Sequence, residues 1–287
     1  MSPSHSPDVI APSKVAVVTG AASGIGLGLS ERFAAEGMHV VMADVEEPAL
    51  SKAAAAISDT GGSVLPVVTD VSDRGAVDAL RDSATAAFGA VHVVCNNAGV
   101  GGTSGTDNVN LKDWRWVVDI NLMGVVHGVK TFVPLIKRQG EGGHIVNTAS
   151  MAGFLPGTGF GPYTATKFAV LGISEALQVE LEPAGIGVSV LCPGWVATKI
   201  TDSRRNWPKE YGDPPPRIEG SVAAQIAELV KNGMQPADVA ALVLNAVQNN
   251  QLYIFTHPHM RPPLEKRVDR FMAAYRKLGL APQEQAR

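Results

Sequence analysis

The sequence predicts an α/β protein whose single domain is a doubly wound, mostly parallel sheet with helices on both faces. Two observations support this prediction. Short apolar runs of the kind found in buried parallel strands alternate with segments of helical periodicity along almost the whole chain. A glycine-rich turn at 20–26 joins the first run to the first helical segment. Alternation at this pitch implies right-handed βαβ units, whose ligands bind beyond the carboxyl ends of the strands.

The individual elements follow from this alternation. The apolar runs predicted as strands are VAVVT (15–19), VVMA (40–43), VLPVVT (64–69), VHVVC (91–95), HIVNTA (144–149), GVSVLC (187–192) and LYIF (252–255). The alanine-rich or amphipathic segments predicted as helices lie near 24–37, 47–60, 73–88, 111–138, 161–183 and 236–249. Between 195 and 220, Pro208 and the three prolines at 214–216 forbid a long regular helix. This stretch is predicted to be a lid, a binding loop or a disordered insertion.

The two ends of the chain differ from the part between them. Residues 1–13 are polar and proline-rich and are predicted to be a flexible arm. Residues 14–256, including the loop 195–220, are predicted to form the domain, and 257–287 a helical tail. A tail helix is predicted at 264–278, where apolar side chains recur at helical spacing. A packing or oligomer helix is favoured there over a cover for a binding site.

The composition excludes several classes of protein. Of 287 residues, 45% are apolar and 18% charged, with a net charge of −3, which is typical of a globular chain and provides no basic stripe for nucleic acid. No uninterrupted apolar run of about 18 residues and no apolar signal core is visible, so a cytoplasmic protein with no membrane partner is expected. Cys95 and Cys192 lack metal-type spacing, so free buried thiols are favoured over a disulfide and no metal site is predicted.

The glycine-rich turn reads Gly-Ala-Ala-Ser-Gly-Ile-Gly from 20 to 26. Glycines allow a sharp turn and the close approach of a diphosphate, and the following helix offers free N–H groups and the positive end of its dipole. The spacing is GxxxGxG and not the commoner GxGxxG. The candidate cofactor ligands are Gly20, Ser23, Gly24, Ile25 and Gly26, with a purely structural turn as the alternative.

A second pattern indicates acid/base chemistry. Tyr163 and Lys167 are four residues apart in a predicted helix, so that the phenol and the ammonium share one face. A cation within about 4–6 Å favours the phenolate, which makes the pair a candidate tuned acid/base, although the same spacing occurs on solvated helix faces. Ser150, at the carboxyl end of a predicted strand, is a candidate donor to a substrate oxygen. No GxSxG elbow surrounds it, which argues against a serine nucleophile.

Taken together, the motifs resemble those of the short-chain dehydrogenase/reductase family. They occur in the family's order over roughly 13–255 and comprise TGAASGIG (19–26), Asp70-Val71, NNAG (96–99), Asn121, Ser150, YxxxK (163–167) and PGWVAT (193–198). The resemblance implies a Rossmann-type sheet and an NAD(P)-dependent oxidoreductase acting on CH–OH groups. It also implies that 14–256 is a dinucleotide-binding catalytic domain.

The cofactor predicted within this family is NAD. Asp44 ends the second apolar run, where a carboxylate accepts hydrogen bonds from the adenosine ribose hydroxyls and repels a 2′-phosphate. No arginine or lysine lies within 20–26 to bind that phosphate. The alternative role for Asp44 is a helix N-cap.

The resemblance implies further cofactor contacts. Asp70 and Val71 would border the adenine ring, although Asp70 is equally suited to cap the next helix. Asn97 would lie near a ribose, or would satisfy backbone groups of its own turn. The carboxamide end of the nicotinamide would be held by Pro193, Gly194, Val196 and Thr198, and the nicotinamide ribose by Lys167 beside Tyr163.

The mechanism that the resemblance implies needs no metal. Tyr163 would take the proton of a secondary alcohol while hydride passes to the nicotinamide. Lys167 would lower the pKa of the tyrosine, and Ser150 would orient the oxygen. Asn121 would widen its helix and hold a water that connects to the lysine; a solvated asparagine is the alternative.

The substrate is predicted from the variable segments 100–106, 151–161 and 199–220. Phe154, Phe160 and Trp207 favour a bulky apolar or aromatic secondary alcohol or ketone, and the loop 199–220 is expected to order over it. A 3-oxoacyl thioester reductase and a catalytically silent NAD-binding regulator are the alternatives. A homo-oligomer, dimer or tetramer, is expected.

Overall fold

The computed structural model describes residues 8–102, 104–214 and 221–278. Within them, one parallel sheet contains β1 (Val15–Thr19), β2 (His39–Asp44), β3 (Ser63–Val68), β4 (Val93–Asn96), β5 (Gly143–Thr148), β6 (Ile186–Cys192) and β7 (Tyr253–Phe255). The order across the sheet is β3-β2-β1-β4-β5-β6-β7. The order reverses between β1 and β4, the switch point at which open α/β sheets bind ligands. The predicted doubly wound α/β fold is confirmed.

The helices are α1 (Gly24–Ala35), α2 (Glu47–Asp59), α3 (Arg74–Phe88), α4 (Leu111–Val118), α5 (Gly124–Gln139), α6 (Gly161–Leu181), α7 (Ser221–Lys231), α8 (Pro236–Gln248) and α9 (Arg261–Arg276). A π-turn at Asp119–Met123 joins α4 to α5. Short 3₁₀ turns lie at Met151–Gly153, Glu182–Ala184, Ile200–Asn206, Lys209–Tyr211 and Pro258–Met260.

The helices cover both faces of the sheet. On one face, Leu29 and Phe33 of α1 pack with Val243 of α8 in a buried cluster. On the other, Phe132 of α5 and Leu177 of α6 belong to a second cluster. Successive side chains of a strand point to opposite faces, so the apolar residues of a central strand contribute to both clusters.

The predicted helix at 111–138 is present as one helical stretch that is widened by the π-turn. Two local predictions were wrong. Helix α7 was missed because the proline-rich stretch before it suggested irregular structure throughout. The predicted flexible arm 1–13 is ordered at 8–13: Val9 and Ile10 are buried in the core cluster that contains α1, and the Ser13 N–H donates to the Gly37 carbonyl at 3.0 Å. Apolar burial therefore fixes this short segment. Residues 1–7 lie outside the described part of the chain.

One helical stretch, Leu111–Gln139, is long and apolar enough to cross a membrane by length and composition alone. Half of its most apolar window is buried inside the fold. Its second part, α5, packs against α3, β4 and β5. In this structure it is a core helix of the sheet.

The chain divides into two compact units, Met1–Thr256 and His257–Arg287. In the second, α9 begins three residues before the predicted start, with prolines in its first turn, where a missing N–H leaves no helical hydrogen bond unmade. Phe271, Met272 and Tyr275 of this helix are exposed, and the Arg267 guanidinium lies 4.6 Å from the Phe271 ring centre. A packing or oligomer role for the tail stays a prediction.

Candidate active site

The glycine-rich turn packs so tightly between β1 and α1 that no side chain fits at its key positions. Gly20 and Gly24 have positive φ angles of 68° and 57°, which L side chains rarely adopt. A Cβ atom at Gly20 would lie 2.9 Å from the Ala98 Cα, and one at Gly26 would overlap the Gly20 carbonyl. Ser23 is the N-cap of α1 but makes no side-chain cap bond. The first turn of α1 thus suits an anion such as a diphosphate.

Asp44 stands beside this turn at the carboxyl end of β2. Its Oδ2 accepts the Ala22 N–H at 3.0 Å, and its Oδ1 accepts the Glu46 N–H at 3.0 Å. The N-cap residue of α2 is Glu46, so the cap alternative for Asp44 does not hold. The carboxylate is fixed between the glycine turn and the β2–α2 turn, where a ribose would meet it.

Asn97 joins the end of β4 to the ends of β1 and β5. Its Nδ2 donates to the Thr19 carbonyl at 2.9 Å, and its Oδ1 accepts from Thr148 Oγ1 at 3.2 Å. The amide therefore has the structural role that the sequence left open, and a contact of Asn97 with the cofactor stays a prediction.

Sequence reasoning missed a buried chain of hydrogen bonds between side chains of β4, β5 and α6. Asn96 Nδ2 donates to Asn147 Oδ1 at 2.9 Å, and Asn147 Nδ2 donates to Ser174 Oγ at 3.0 Å. All three side chains are buried. They join β4 and β5 to α6, the helix that carries the candidate acid/base. An apolar strand interrupted by a polar residue was the signal that could have found them.

The two predicted adenine contacts differ in burial. Asp70 is exposed and accepts the Ser72 N–H at 2.9 Å and hydroxyl at 2.7 Å. The cap of α3 is Asp73, whose carboxylate accepts the Gly75 N–H, so Asp70 is not that cap. Val71 is buried, and a Cβ atom at Gly124 would lie 2.8 Å from its Cγ2. Both stay predicted walls of the adenine site.

Ser150, Tyr163 and Lys167 converge at the carboxyl edge of the sheet. Ser150 Oγ accepts the Ala152 N–H at 3.1 Å and donates to the Pro193 carbonyl at 3.4 Å, and it lies close enough to the Tyr163 phenol to favour the phenolate. Lys167 Nζ lies 5.4 Å from the Tyr163 ring centre and donates to the Thr148 carbonyl at 2.8 Å. Tyr163 falls in the first turn of α6 and Lys167 one turn later on the same face.

The electrostatics of the pair differ from the prediction. Burial raises the pKa of Tyr163, and the hydrogen bond from Ser150 partly offsets this. The Lys167 ammonium does not lower the pKa of Tyr163, and burial reduces the pKa of the ammonium itself to about 8. Desolvation acts against the charged form of both groups. In this structure the phenol is therefore held protonated at neutral pH.

Asn121 lies in the π-turn, so the helix is widened where the resemblance implied it would be. Its Oδ1 accepts the Val100 N–H at 2.8 Å, and its Nδ2 donates to the Val100 carbonyl at 2.9 Å. A solvated side chain is excluded because Asn121 is 1% exposed. The water connection to Lys167 stays a prediction.

Gly99 was missed as a site residue. A Cβ atom there would lie 3.3 Å from Asn121 Oδ1 and 3.7 Å from Lys167 Nζ. The space between the amide and the ammonium therefore depends on a glycine. The tight NNAG turn was the available signal.

The segment after Gly99 is tied to the catalytic helix through a buried aspartate. Asp113 of α4 is fully buried, and its Oδ2 accepts the Ser104 N–H at 3.0 Å and hydroxyl at 2.6 Å. The Ser104 carbonyl in turn accepts the Gly161 N–H at 3.1 Å, at the start of α6. Asp113 thus supports the end of α6 from which Tyr163 projects, and no sequence motif indicated it.

Residues 193–214, which follow β6, form a segment that we call the strap. The Pro193 carbonyl accepts the Met151 N–H at 2.9 Å, and the Gly194 N–H donates to Thr256 Oγ1 at 3.2 Å. Val196 is buried and pairs with Met234 in an isolated bridge. A Cβ atom at Gly24 would lie 3.0 Å from Thr198 Cγ2. The strap thus runs from the catalytic edge to the glycine turn.

A cavity of about 400 Å³ lies between the strap and the glycine turn. Its walls include Ser23 and Gly24 on one side, Thr198 and Lys199 on the other, and Lys231 of α7. Hydroxyls, lysines and the first turn of α1 meet there. This donor set fits the diphosphate of a dinucleotide.

Among the predicted substrate residues, Phe160 lies beside the phenol, with its ring centre 6.4 Å from that of Tyr163. Phe154 packs instead on Phe255 of β7, at 5.6 Å between ring centres. Trp207 is 9% exposed and packs against Trp116, at 5.1 Å between ring centres. Only part of the predicted aromatic set therefore meets the acid/base. Residues 215–220 of the predicted loop lie outside the described part of the chain.

Comparison with known proteins agrees with this geometry. The sequence profile of the short chain dehydrogenase family matches residues 14–209. A CLA biosynthesis dehydrogenase/reductase of Lactiplantibacillus plantarum is 36% identical over 266 residues, covering 90% of this chain and 93% of the relative. A 1-deoxy-11-beta-hydroxypentalenate dehydrogenase of Streptomyces exfoliatus is 39% identical over 272 residues, covering 94% of this chain and 91% of the relative.

A solved structure is similar along almost its whole length. It is a short chain dehydrogenase/reductase from Burkholderia phymatum in complex with NAD, 38% identical, with a TM-score of 0.88 over 97% of this chain and 99% of that chain. The fold, the motifs and these relatives agree. This chain belongs to the short-chain dehydrogenase/reductase family and is an NAD(P)-dependent oxidoreductase that acts on CH–OH groups.

Proposed function

We propose that the protein interconverts a secondary alcohol and its ketone with NAD, and that the substrate is bulky and apolar or aromatic. The observation that carries this proposal is the convergence of Ser150, Tyr163 and Lys167 beside the glycine turn. A phenol, a hydroxyl and an ammonium at one point can orient a carbonyl oxygen and exchange one proton with it.

Each side chain has a defined task in this proposal. Tyr163 donates its phenolic proton to the substrate oxygen in ketone reduction, and takes it back in alcohol oxidation. Ser150 donates a hydrogen bond to the same oxygen. When bound, NAD accepts a hydride from the carbinol carbon, or NADH returns one to the carbonyl carbon. Because burial raises the pKa of Tyr163, the free protein holds the proton-donating form ready.

Lys167 and Asn121 support the proton transfer. The Lys167 ammonium lies near the phenol ring and favours the phenolate that forms when the proton leaves. Its lowered pKa, about 8, means that this charge is lost in moderately alkaline solution. The widened helix at Asn121 and the open space at Gly99 leave room for a water that reaches Lys167.

The preference for NAD over NADP rests on Asp44. Its carboxylate is fixed by two backbone N–H groups at the end of β2, and it would face a 2′-phosphate with like charge. The NAD complex of the Burkholderia relative supports the same cofactor. The cofactor ligands that we propose are Gly20, Ser23, Gly24, Ile25, Gly26, Asp44, Asp70, Val71, Asn97, Tyr163, Lys167, Pro193, Gly194, Val196 and Thr198.

Replacing Asp44 with Ser together with Val45→Arg tests this preference. Val45 is 49% exposed, so an arginine there can reach a phosphate. Loss of repulsion and gain of a bidentate contact should each shift the ratio of kcat/KM values toward NADP by about 1–3 kcal/mol. Equal use of NADH and NADPH by the unmodified protein would contradict the role of Asp44.

A bulky apolar substrate is supported by Phe160, whose ring centre lies 6.4 Å from that of the phenol. The hydroxypentalenate named for the Streptomyces relative also supports a hydroxylated substrate of considerable size. A screen of NAD reduction across aliphatic, aryl and steroidal secondary alcohols would identify the class. Activity confined to small polar alcohols would contradict it.

The proposed site is tested by Tyr163→Phe. Turnover should fall to a few per cent or less, while NADH affinity stays within a few-fold of that of the unmodified protein. Lys167→Ala should impair both turnover and cofactor affinity. Substantial turnover in Tyr163→Phe would remove the phenol from the mechanism.

We also propose that the protein works in the cytoplasm as a dimer or tetramer on small-molecule substrates. Tyr253 and Phe255 are exposed on β7, at the edge of the sheet, and such edges are commonly covered by another chain. Light scattering coupled to gel filtration would measure the number of subunits.

A further inference from the structure

The strap is attached to the domain on both sides of the cofactor cleft. On the substrate side, the Gly101 N–H donates to Ser203 Oγ at 2.9 Å, and Trp207 packs on Trp116. In the middle, Thr198 touches the glycine turn at Gly24. On the adenosine side, the strap reaches Glu46, the N-cap residue of α2. A cofactor lying along the carboxyl edge would therefore pass beneath it.

The contact with Glu46 is a cluster rather than a single ion pair. Glu46 Oε1 accepts from Arg205 Nε at 2.9 Å and Asn206 Nδ2 at 3.0 Å, and Arg205 Nη2 lies 2.8 Å away. Arg205 Nη1 donates to the carbonyls of Lys199 at 3.1 Å and Asp202 at 2.9 Å. The guanidinium is thus fixed by its own turn before it meets the carboxylate. The Arg205 hydrogen bond also holds the pKa of Glu46 below its usual value.

The cluster is directly linked to the proposed ribose site. The backbone N–H of Glu46 donates to Asp44 Oδ1. The strap therefore binds, through Glu46, the same turn that carries Asp44. The pair joins residues 159 positions apart, and both side chains are more than two-thirds buried, with exposures of 27% and 28%. An isolated exposed ion pair contributes little to stability. The Arg205 guanidinium is already held by its own turn, so it loses less side-chain entropy when it pairs with the carboxylate.

We propose that Glu46, Arg205 and Asn206 form a latch that holds the strap closed over the bound cofactor, and that opening of this latch governs how fast the cofactor leaves. They are positioning residues and do not touch the reacting atoms. This inference rests on the cofactor site proposed above. Because Arg205 is neutralised by Glu46, its guanidinium is not available to bind a 2′-phosphate.

The test is the dissociation rate of NADH, measured by stopped-flow fluorescence when excess NAD displaces it. Glu46→Gln and Arg205→Met should each raise this rate by about threefold to tenfold, and Asn206→Ala by less. At high ionic strength the rate of the unmodified protein should rise toward that of the variants, whose own rates change little. The charge reversal Glu46→Lys with Arg205→Glu should recover part of the slow release.

Glu36→Gln is the matched control. It makes the same chemical change in the Arg32–Glu36 pair at the far end of α1 and should leave NADH release unchanged. Unchanged release in both Glu46→Gln and Arg205→Met would overturn the latch. Failure of the unmodified protein to bind NADH would overturn the proposed NAD preference instead, and the same measurement with NADPH would then test the latch.

Discussion

The cofactor half of the domain (14–99) and the substrate half (100–214) are built in different ways. In the cofactor half, the site is made by backbone: the glycine turn touches the backbone of the β4 turn, and the Asp44 carboxylate accepts two backbone N–H groups. In the substrate half, contacts made by side chains hold the segments together, as Asp113 holds Ser104 and Arg205 holds Glu46.

This difference predicts different responses to substitution. A backbone-built site has no spare space, because packed atoms cannot move aside without displacing the chain. A site held by side-chain contacts can lose one contact and still close through the others. Substitutions in the cofactor half should therefore cause a large loss of cofactor binding. Substitutions in the substrate half should reduce activity only partly.

The largest effect is expected for Gly26→Ala. The added methyl group would overlap the Gly20 carbonyl and press on the Asn97 amide. Overpacking of this kind costs about 1–3 kcal/mol, and here it displaces the N–H groups of the diphosphate site, so NADH affinity should fall roughly tenfold to hundredfold. Isothermal titration would measure this. Gly172→Ala, where nothing lies within 4 Å, is the control and should bind normally; normal binding by Gly26→Ala would break the comparison.

A smaller effect is expected for Asp113→Ala, and it should fall on turnover of the alcohol rather than on NADH binding. Without the carboxylate, the Ser104 N–H and hydroxyl lose their buried acceptor, at about 1–3 kcal/mol each. The start of α6 should loosen, so that kcat/KM for the alcohol falls roughly tenfold while NADH affinity stays within about twofold. Asp113→Asn keeps one acceptor oxygen and should lose less. A parallel loss of NADH affinity would show that the two halves are not separable.

For Trp207→Ala we expect a uniform loss. Because Trp207 packs on Trp116 and Tyr211 and donates to the Gly212 carbonyl, its removal should loosen the strap as a whole. KM for a bulky aryl alcohol and for a small one such as 2-butanol should rise alike, by roughly threefold to fivefold, on the order of 1 kcal/mol. A rise confined to the bulky substrate would mean that the indole contacts it directly.

The smallest effect on turnover is expected for His144, which is buried near the amino end of β5, away from the carboxyl ends of the strands. Its Nε2 hydrogen-bonds to Ser189, its Nδ1 has no partner among the described residues, and burial lowers its pKa from 6.5 to about 3. Below pH 6.5 the imidazole of His144 is protonated in the unfolded chain but stays neutral in the folded chain. The free energy of unfolding is therefore highest above pH 6.5 and declines as the pH falls toward 3.

His144→Leu should remove this dependence. Between pH 7 and 5, urea unfolding should show the unmodified protein losing about 2 kcal/mol more than the variant. The pKa of Glu141, lowered to about 2 by Lys14 and then His92, places its titration below this range. Identical pH dependence in the two proteins would exclude His144 as the cause.

The sequence predicted the cofactor half closely because its determinants are local. Glycines 20, 24 and 26 allow the turn between β1 and α1, the valine-rich runs form buried strands, and Asp44 ends β2, so all of these positions follow from the order of residues within one βαβ unit. The convergence of Ser150 with Tyr163 and Lys167 was also accessible, because parallel strands end at one edge.

The substrate half was predicted less well because its contacts have no fixed spacing. Nothing near Asp113 indicates Ser104 as its partner, and Arg205 meets Glu46 only after the whole sheet is assembled. The raised pKa of Tyr163 was likewise beyond reach, since it depends on how deeply the assembled fold buries the phenol itself. The prolines at 208 and 214–216 suggested an irregular loop up to residue 220, and the helix α7 that follows this loop was not predicted.

The π-turn at Asp119–Met123 also takes up one residue more than an α-helical turn would. An α-helix closes each turn with hydrogen bonds between residues four apart, whereas a π-turn joins residues five apart, so the extra residue is absorbed locally and the helix beyond it keeps its rotational phase. On one side of the turn Trp116 packs with Trp207, and on the other side Phe132 packs on the sheet. Deleting a single residue from the turn should therefore leave both faces in place and remove only the widening at Asn121.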